Sequence, residues 1–176
     1  MKQVTEIMPT AETDQVLRYT WTDSPLGRIL LSGDERGLSR VQLATETRPV
    51  TSDEGAVEEA DMFRGAVEQL EAYFAGDLKN FDLKLNPQGT PFQQRAWQEL
   101  RKIPFGQTIT YGEQARRLGD PNACRAVGAA NGQNPLGIIV PCHRVIGSTG
   151  KLTGFAGGLP AKSWLLQHES GLFGNS

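Results

Sequence analysis

The sequence predicts an α+β protein in which a small antiparallel sheet with one helix is followed by a domain of short helices. In the first half of the chain, short runs of alternating apolar and polar residues are typical of half-buried strands. Residues 86–89, Asn-Pro-Gln-Gly, carry the turn signals of a linker, and beyond them capping signals mark short helices. We therefore expect residues 1–86 to form one domain and residues 87–176 to form a second.

Three predicted strands make up the sheet of the first domain, and turn signals such as Ser-Pro and Gly-Asp-Glu-Arg-Gly separate them. The strands are residues 16–21, 28–32 and 38–43. A helix follows, since apolar residues recur at three- and four-residue spacing before Gly76 ends the pattern. These apolar residues are Phe63, Val67, Leu70 and Phe74. The polar residues 1–15 that precede the first strand could be flexible.

The second domain opens with a helix whose start is marked by a capping box. Thr90 can cap this helix, Pro91 suits its first position, and Gln93 can close the box from the third. The helix should run to about Lys102.

Two further short helices form a helix-turn-helix outline, the arrangement that many DNA-binding domains use. Residues 110–113, Thr-Tyr-Gly-Glu, repeat the capping pattern, and Gly119 ends that helix two turns later. Asp120-Pro121 opens the next helix, which should run from about Asn122 to about Asn131 and carry Arg125 on an outward face. The small residues of this helix could equally serve close packing.

The charge of the chain is divided unevenly between its two halves. Residues 1–88 hold 9 Lys and Arg against 16 Asp and Glu, whereas residues 89–176 hold 9 against 4. The halves therefore carry −7 and +5, which together give the net charge of −2. A basic second half allows an anionic partner such as nucleic acid without requiring one.

The bulk composition is that of an ordinary globular protein, with 38% hydrophobic and 22% charged residues. No apolar run approaches the roughly eighteen residues that cross a bilayer, and the polar start lacks the apolar core of a signal peptide. We therefore predict a cytoplasmic protein without a membrane partner. In that compartment Cys124 and Cys142 are expected to be reduced thiols rather than a disulfide.

A thiol and an imidazole follow one another at Cys142 and His143, directly after an apolar run. Residues 138–140 are Ile-Ile-Val, which predicts a buried strand, and Pro141 would end it. An imidazole nearby can draw a thiol toward the thiolate, the form of sulfur that attacks carbon. Neighbouring residues on a strand face opposite ways, so the pair needs a bend or a bridging water to cooperate. The alternative is a core cysteine beside an incidental histidine.

A carboxylate that orients the histidine would complete a relay with the cysteine as nucleophile and the histidine as base. Glu169 is the first candidate, because it lies near the end of a last helix, residues 160 to about 170, that could pack beside the strand. Glu113 and Asp120 compete with it.

A metal site is another use for such side chains. The possible soft ligands are Cys124, Cys142, His143 and His168. Structural zinc sites usually pair ligands two to four residues apart, whereas here one pair is adjacent and the other two residues lie far away. We therefore expect no metal.

Several motifs of the second half together resemble the O6-alkylguanine-DNA alkyltransferases, the methylated-DNA–protein-cysteine methyltransferase family. The similar segments are residues 90–94, 103–106, 134–135, 141–146, 157–158 and 162–169. They lie within about residues 88–170, and their joint occurrence is highly specific. The first half is similar to the family's ribonuclease-H-like domain only in length and element order.

The resemblance implies a ribonuclease-H-like first domain and a winged-helix-like second domain that bears the helix-turn-helix and the reactive cysteine. It implies DNA repair in which the alkyl group of O6-alkylguanine passes once and irreversibly to the protein, with O4-alkylthymine as a further candidate substrate. The protein would be a monomer that binds double-stranded DNA through the minor groove, flips the lesion out and could cooperate with other copies. No cofactor is implied. Some members carry zinc in the first domain, but residues 1–88 contain no Cys or His.

Carried over by position, the resemblance assigns the reaction to five residues. Cys142 would accept the alkyl group, His143 would activate it through a water, and Glu169 would orient the histidine. Asn134 would brace the turn before the active-site strand, and Tyr111 would contact the lesion and help to protonate the departing guanine. In the alternative interpretation, Asn134 is an ordinary turn former and Tyr111 a packing residue.

Four more residues would hold the DNA or the flipped base. Arg125 would enter the base stack where the lesion leaves, and Lys162 and the backbone amides near Ala156 would hold the substrate oxygen. Phe155 stands where the family often has tyrosine, so the base would lie against a ring without a hydroxyl. A phosphate contact is the alternative for Arg125, and a solvated surface charge is the alternative for Lys162.

Two other functions stay open at this point. A Cys-His-Glu hydrolase would use the same relay but would turn over many times. A non-enzymatic binder of alkylated DNA would need no nucleophile, and relatives of that kind commonly have tryptophan in its place. The presence of Cys142 argues against the binder.

Overall fold

The computed structural model describes residues 16–171, so the expectation that residues 1–15 could be flexible lies outside the described residues. Within this range the α+β class is confirmed, because a sheet with one longer helix precedes a group of helices. The strands of the first sheet are β1 (Arg18–Thr22), β2 (Ile29–Asp34), β3 (Gly37–Leu43) and β4 (Val57–Glu58). Their order in the sheet is β3-β2-β1-β4.

Antiparallel pairing forms the body of this sheet, as the alternating pattern predicts. β1 pairs with β2, and β2 pairs with β3. β4 is a departure, since its two residues pair parallel with β1 and are too few to show an alternating pattern. β2 lies at the centre of the packing, because every one of its residues is buried.

Helix α1 (Arg64–Phe74) follows a short 3-10 helix (Ala60–Phe63) and turns Leu70 and Tyr73 into the core. Gly76 ends it with a φ of +85°, a left-handed conformation that glycine adopts without strain. Tyr73 is fully buried although the apolar spacing did not include it.

The second domain contains the other four α-helices of the described range. They are α2 (Pro91–Leu100), α3 (Tyr111–Arg117), α4 (Cys124–Gly132) and α5 (Leu159–Glu169). The capping box is confirmed, since Thr90 Oγ1 accepts from Gln93 N at 3.1 Å and Gln93 Oε1 accepts from Thr90 N at 2.9 Å. Thr110 caps α3, accepting from Glu113 N at 3.1 Å. Gly119 follows α3 with a φ of +91°.

Helices α3 and α4 form the predicted helix-turn-helix outline, and a buried pair of amides locks them together. Asn131 Nδ2 donates to Gln114 Oε1 at 2.8 Å, and Gln114 Nε2 donates back to Asn131 Oδ1 at 3.1 Å. The indole of Trp97 on α2 donates to Ala130 O at 2.8 Å. These buried bonds fix the angle between the two helices and attach the pair to α2.

The predicted strand at residues 138–140 is wrong. These residues form a turn in which Ile138 has a φ of +73°, a conformation that is rare for a β-branched side chain. A 3-10 helix (Cys142–Arg144) follows, and only then comes β6 (Val145–Ile146), which pairs parallel with β5 (Ile109–Thr110). The apolar run is buried, so its composition reflects the core rather than an extended backbone.

A parallel bridge joins the first sheet to the loop that precedes Cys142. Val41 N on β3 donates to Pro135 O at 2.8 Å, and Gly137 N donates to Val41 O at 3.0 Å. One cluster of buried apolar side chains extends across both halves of the chain. The first sheet therefore supports the loop that leads to Cys142.

Candidate active site

Cys142 begins the 3-10 helix and lines a cavity of about 330 Å³. Its side chain is nearly enclosed, with 8% of the residue exposed. Because a 3-10 helix has three residues per turn, successive side chains point roughly 120° apart. Cys142 can therefore face the cavity while His143 and Arg144 point into the protein, where both are buried.

The side chain of Asn134 holds the turn that leads to Cys142. Its Nδ2 donates to Val140 O at 2.8 Å, and its Oδ1 accepts from Leu136 N at 3.0 Å. Both bonds are buried, so the loss of either would leave a backbone group without a partner. This geometry supports the bracing role of Asn134.

His143 and Glu169 form a buried pair. His143 Nε2 lies 2.7 Å from Glu169 Oε2, and His143 has no exposed surface. An ionised carboxylate can only accept, so Nε2 carries the proton and donates. Nδ1 then holds a free electron pair, and this atom is buried without a hydrogen-bond partner among residues 16–171. The imidazole is thus arranged to accept a proton at Nδ1.

Arg144 and Tyr73 also bind Glu169, although neither residue is among the site residues predicted from the sequence. Arg144 Nε donates to Glu169 Oε1 at 2.8 Å, and its Nη2 donates to Oε2 at 3.0 Å. The Tyr73 hydroxyl donates to Oε2 at 2.5 Å. A buried arginine requires an anionic partner. Knowledge that Arg144 is buried would therefore have suggested it as a partner of an acid such as Glu169. Tyr73 lies 96 residues from its partner, so no local pattern points to it.

The hydrogen bonds around Glu169 keep it ionised. Burial alone would raise the pKa of Glu169, but hydrogen bonds from His143 and Arg144 outweigh burial and hold this pKa well below its usual range. Burial also lowers the pKa of His143, against the opposing attraction of Glu169. At neutral pH the pair is therefore a neutral imidazole beside a carboxylate, which is the resting form of a general base.

The thiol of Cys142 is protonated at rest. Burial raises its pKa, while a hydrogen bond from Asn134 and the positive charge of Lys162 act in the opposite direction. A buried, protonated thiol is a weak nucleophile until a base removes its proton. The neutral imidazole of the adjacent His143 is chemically able to act as such a base.

Phe155 and Ala156 lie with Cys142 in the lining of the cavity. The ring of Phe155 stands nearly perpendicular to that of His143, with centroids 6.5 Å apart. The first domain supplies another wall of the same cavity through Leu43 and its neighbours. Two of the predicted base-binding residues, Phe155 and Ala156, thus line the same cavity as the thiol.

Lys162 and Tyr111 contact the loop that leads to this lining rather than the lining itself. Lys162 Nζ donates to Thr153 O at 2.8 Å and to Gly154 O at 3.3 Å. Tyr111 OH donates to Thr153 O at 3.1 Å. Lys162 has no exposed surface, which rules out the alternative of a solvated surface charge. Both side chains therefore hold the loop just before Phe155.

Comparison with known proteins identifies the family. A family model described as the DNA binding domain of 6-O-methylguanine DNA methyltransferase matches residues 91–171, and the model of its ribonuclease-like domain matches residues 17–87. The methylated-DNA–protein-cysteine methyltransferase of Methanosarcina acetivorans is 54% identical over 151 residues, which cover 86% of this chain and 97% of the relative. The chain belongs to the methylated-DNA–protein-cysteine methyltransferase family.

Other members of this family agree with that assignment over nearly their full length. The enzyme of Mycolicibacterium paratuberculosis is 49% identical over 154 residues, which cover 88% of this chain and 93% of the relative. A crystal structure of Mycobacterium tuberculosis OGT in complex with DNA has a TM-score of 0.81 at 48% identity and covers 87% of this chain and 92% of that one. The fold is therefore shared as well as the sequence.

In this methyltransferase the two other candidate acids serve elsewhere. Glu113 accepts from Arg117 Nε at 2.8 Å and from Arg116, all three on α3. Asp120 Oδ1 accepts from Asn122 N at 3.0 Å in the turn between α3 and α4. Glu169 is thus the candidate acid that contacts His143.

Arg125 lies apart from the cavity. It is the second residue of α4, and its side chain is exposed on the surface of the helix-turn-helix. Arg125 therefore does not line the cavity that holds the thiol.

The possible soft metal ligands of this methyltransferase are dispersed. Between residues 16 and 171, no three His, Cys, Asp or Glu side chains gather closely enough to hold a metal ion. Cys124 and Cys142 are both free thiols. In the same range, no helix has the length and apolar character needed to cross a bilayer.

Proposed function

We propose that Cys142 is the alkyl acceptor of this methyltransferase and that O6-alkylguanine in DNA is its substrate. As a methylated-DNA–protein-cysteine methyltransferase, the chain repairs alkylated DNA by moving the alkyl group to a cysteine of its own. One observation carries the choice of Cys142. Its thiol lines a cavity, and the next residue, His143, makes a buried contact with Glu169. Cys124 is exposed at the start of α4 and lies outside that lining.

The first step is removal of the thiol proton. His143 donates from Nε2 to Glu169, so its Nδ1 accepts the proton of Cys142 through a water molecule. The imidazolium that forms is stabilised by the adjacent carboxylate of Glu169. The positive charge of Lys162 favours the thiolate in the same moment.

The second step is an in-line displacement at the alkyl carbon. The sulfur forms a bond to that carbon, the bond from the carbon to guanine O6 breaks, and its electron pair stays with the guanine. The proton taken from the thiol replaces the lost alkyl group on the base, and we propose that Tyr111 helps to deliver it. A thioether does not regenerate the thiol under these conditions, so each molecule acts once.

DNA engagement uses the helix-turn-helix. We propose that α4 enters the minor groove, which suits repair that must ignore sequence, and that Arg125 fills the gap left by the flipped base. Flipping costs a few kcal/mol, and less where pairing is already damaged. The +5 charge of residues 89–176 supports attraction to the DNA backbone.

The flipped base would lie in the cavity beside the thiol. Phe155 offers a ring face for stacking, and the backbone amide of Ala156 offers a hydrogen-bond donor near the substrate oxygen. Lys162 acts through the loop carbonyls and through its charge on the thiol. O4-alkylthymine is a second, smaller substrate for the same space.

We further propose that the protein acts as a monomer, that copies cooperate along DNA, and that residues 1–86 and 87–176 are its two domains. A nucleophilic thiol must stay reduced, which favours the cytoplasm as the working compartment. The ribonuclease-like and DNA-binding family models, at residues 17–87 and 91–171, support the domain division.

The deciding experiment incubates the purified protein with a double-stranded oligonucleotide that contains one O6-methylguanine. Peptide mass spectrometry should find one added methyl on Cys142, and repair should stop after one equivalent. Cys142→Ala should still bind the DNA but remove no methyl. Cys124→Ala, the matched control, should react like the parent protein.

Each of the following outcomes would overturn this proposal. A methyl group on Cys124 would mean that the wrong thiol has been chosen. Repair well beyond one equivalent, or repeated hydrolysis of an ester by the pure protein, would favour a Cys-His-Glu hydrolase. Tight binding of the lesion by the parent protein without any methyl loss would favour a non-enzymatic binder.

A further inference from the structure

Tyr73 connects the first domain directly to the proposed relay. It lies in the last turn of α1, has no exposed surface, and donates from its hydroxyl to Glu169 Oε2 at 2.5 Å. Its backbone carbonyl accepts from His168 Nε2 at 2.7 Å. One residue of the first domain thus holds two consecutive residues of α5.

The hydroxyl of Tyr73 and the imidazole of His143 share the same oxygen. Glu169 Oε2 accepts from Tyr73, from His143 at 2.7 Å and from Arg144 Nη2 at 3.0 Å. Oε1 accepts from Arg144 Nε and from the more distant Gly106 N at 3.5 Å. Arg144 already contacts both oxygens and so fixes the orientation of the carboxylate. The distinct effect of the Tyr73 hydroxyl is to take a share of the negative charge on Oε2.

Tyr73 can act only as a donor at this position. Burial raises the pKa of its hydroxyl far above the ordinary value, and the charge of Glu169 raises it further. The hydroxyl therefore stays protonated at every pH at which the protein is folded. The short O–H···O contact to an ionised group belongs to the stronger class of hydrogen bonds.

We propose that Tyr73 is a positioning residue of the alkyl-transfer reaction and that it acts through Glu169. Its hydrogen bond to the carboxylate weakens the attraction of that carboxylate for a proton on His143. This inference rests on the proposed roles of Cys142, His143 and Glu169. A carboxylate oxygen that accepts from three donors attracts the proton of the imidazole less strongly than one that accepts from two. Tyr73 thereby keeps His143 neutral and ready to accept the thiol proton at lower pH.

The direction of the effect follows from the groups that face the relay. These groups are Tyr73 from α1, Arg144 from the 3-10 helix, Lys162 from α5, the Cys142 thiol and the backbone amide of Gly106. Arg144 and Lys162 both oppose a positive charge on His143. Loss of the Tyr73 hydroxyl leaves these cations unchanged but strengthens the attraction of Glu169 for an imidazolium.

The test is the rate of methyl transfer measured in single turnover across pH 5 to 9 for the parent protein and Tyr73→Phe. Phenylalanine keeps the ring packed and removes only the hydroxyl. The acid limb of the rate profile should move to higher pH by on the order of half a unit to one unit, which is a threefold to tenfold lower rate on that limb. DNA affinity should not change.

Phe81→Leu is the matched control. The ring centroid of Phe81 lies 5.4 Å from that of Tyr73, and a phenylalanine ring makes no hydrogen bond to Glu169. It should lower the unfolding temperature and leave the pH profile in place. In the background of Glu169→Gln, the further change of Tyr73→Phe should add no shift, since the charge that it shares is gone. An NMR titration of the His143 imidazole should show the same upward shift in Tyr73→Phe.

The inference would be overturned if, in folded Tyr73→Phe, the acid limb of the rate profile stayed at the same pH or moved to lower pH. It would also be overturned if the pKa of His143 measured by NMR did not change. If the parent protein still places one methyl on Cys142 in that case, the proposed function stands and only the role of Tyr73 fails. A parent protein that leaves Cys142 unmodified would instead remove the proposed function itself and this inference with it.

Discussion

His143 Nε2 lies 2.7 Å from Glu169 Oε2, and both side chains are shielded from solvent. The same carboxylate binds Arg144 through both of its oxygens. One buried acid therefore orients the histidine and also compensates a buried arginine. Loss of its charge should affect the reaction and the stability together.

Glu169→Gln should slow methyl transfer by at least about tenfold at pH 7 and lower the free energy of unfolding by about 3 kcal/mol, because it leaves Arg144 as an uncompensated buried charge. Single-turnover repair and urea unfolding measure the two effects. Glu99→Gln is the control, since Glu99 pairs with a largely exposed Lys102 and its loss should cost less than about 1 kcal/mol. A rate within twofold of the parent would contradict the assignment of Glu169.

Stability should fall as the medium becomes acidic, starting near the ordinary histidine pKa of 6.5. The folded-state pKa of His143 is lowered, so below 6.5 the unfolded chain takes up a proton that the folded protein refuses. The pKa of Glu169 is also lowered, so its contribution is present above the ordinary value of 4.5 and is lost as the pH falls through the folded-state pKa. Both groups therefore destabilise the fold at low pH.

Thermal unfolding between pH 7.5 and 3.5 tests this expectation. The stability should decline by up to about 1.4 kcal/mol per pH unit for each group that titrates. His143→Gln should remove the part of the decline that begins near pH 6.5. A constant unfolding temperature from pH 7.5 to 5 in the parent protein would show that His143 is not held neutral by burial.

Lys162→Met should lower the transfer rate by about tenfold, because the thiol loses a nearby positive charge and the loop before Phe155 loses two hydrogen bonds. Alkylation of Cys142 by iodoacetamide should slow as well, since the pKa of the thiol rises. Lys151→Met removes an exposed lysine and should change neither rate. Equal rates in both variants would leave Lys162 with a purely structural role.

Arg125→Ala should lower the rate of repair even at saturating DNA, because the gap left by the flipped base is no longer filled. The unfolding temperature should stay the same, since the side chain is exposed. Arg64→Ala, at an exposed position in the first domain, is the control. A change in affinity alone, with a salt dependence reduced by about one unit, would mean that Arg125 is a phosphate contact.

Helix boundaries were predictable wherever a side chain or a glycine marks them locally. Thr90, Thr110, Gly76 and Gly119 all act in the structure as the sequence suggests. The strand prediction for residues 138–140 failed because a fully buried turn and a buried strand have the same apolar composition. Only the tertiary bonds of Asn134 and Val41 decide between them.

The site was predictable as far as its residues lie in recognisable motifs. Cys142, His143 and Glu169 carry such motifs, and Glu169 does contact His143 in the structure. Tyr73 escaped prediction because its partner is distant in the chain and its apolar ring is an ordinary core residue. Contacts of this kind depend on how α1 packs against α5, which no local pattern records.

The enclosed ammonium group of Lys162 makes the resting site electrically asymmetric. Among residues 16–171 it rests on carbonyl oxygens and faces the ring of Tyr111, with no carboxylate within 4.0 Å. The charges of Glu169 and Arg144 balance one another, so Lys162 leaves the site with one positive charge in excess. A thiolate at Cys142 is an anion that can compensate the ammonium of Lys162, whereas a thiol or a thioether is not. Because the thiol proton passes to His143, the net charge of the site stays the same during this step. The thiolate instead gains the cations of Lys162 and His143 as partners, and the ammonium of Lys162 is again uncompensated once the alkyl group is in place.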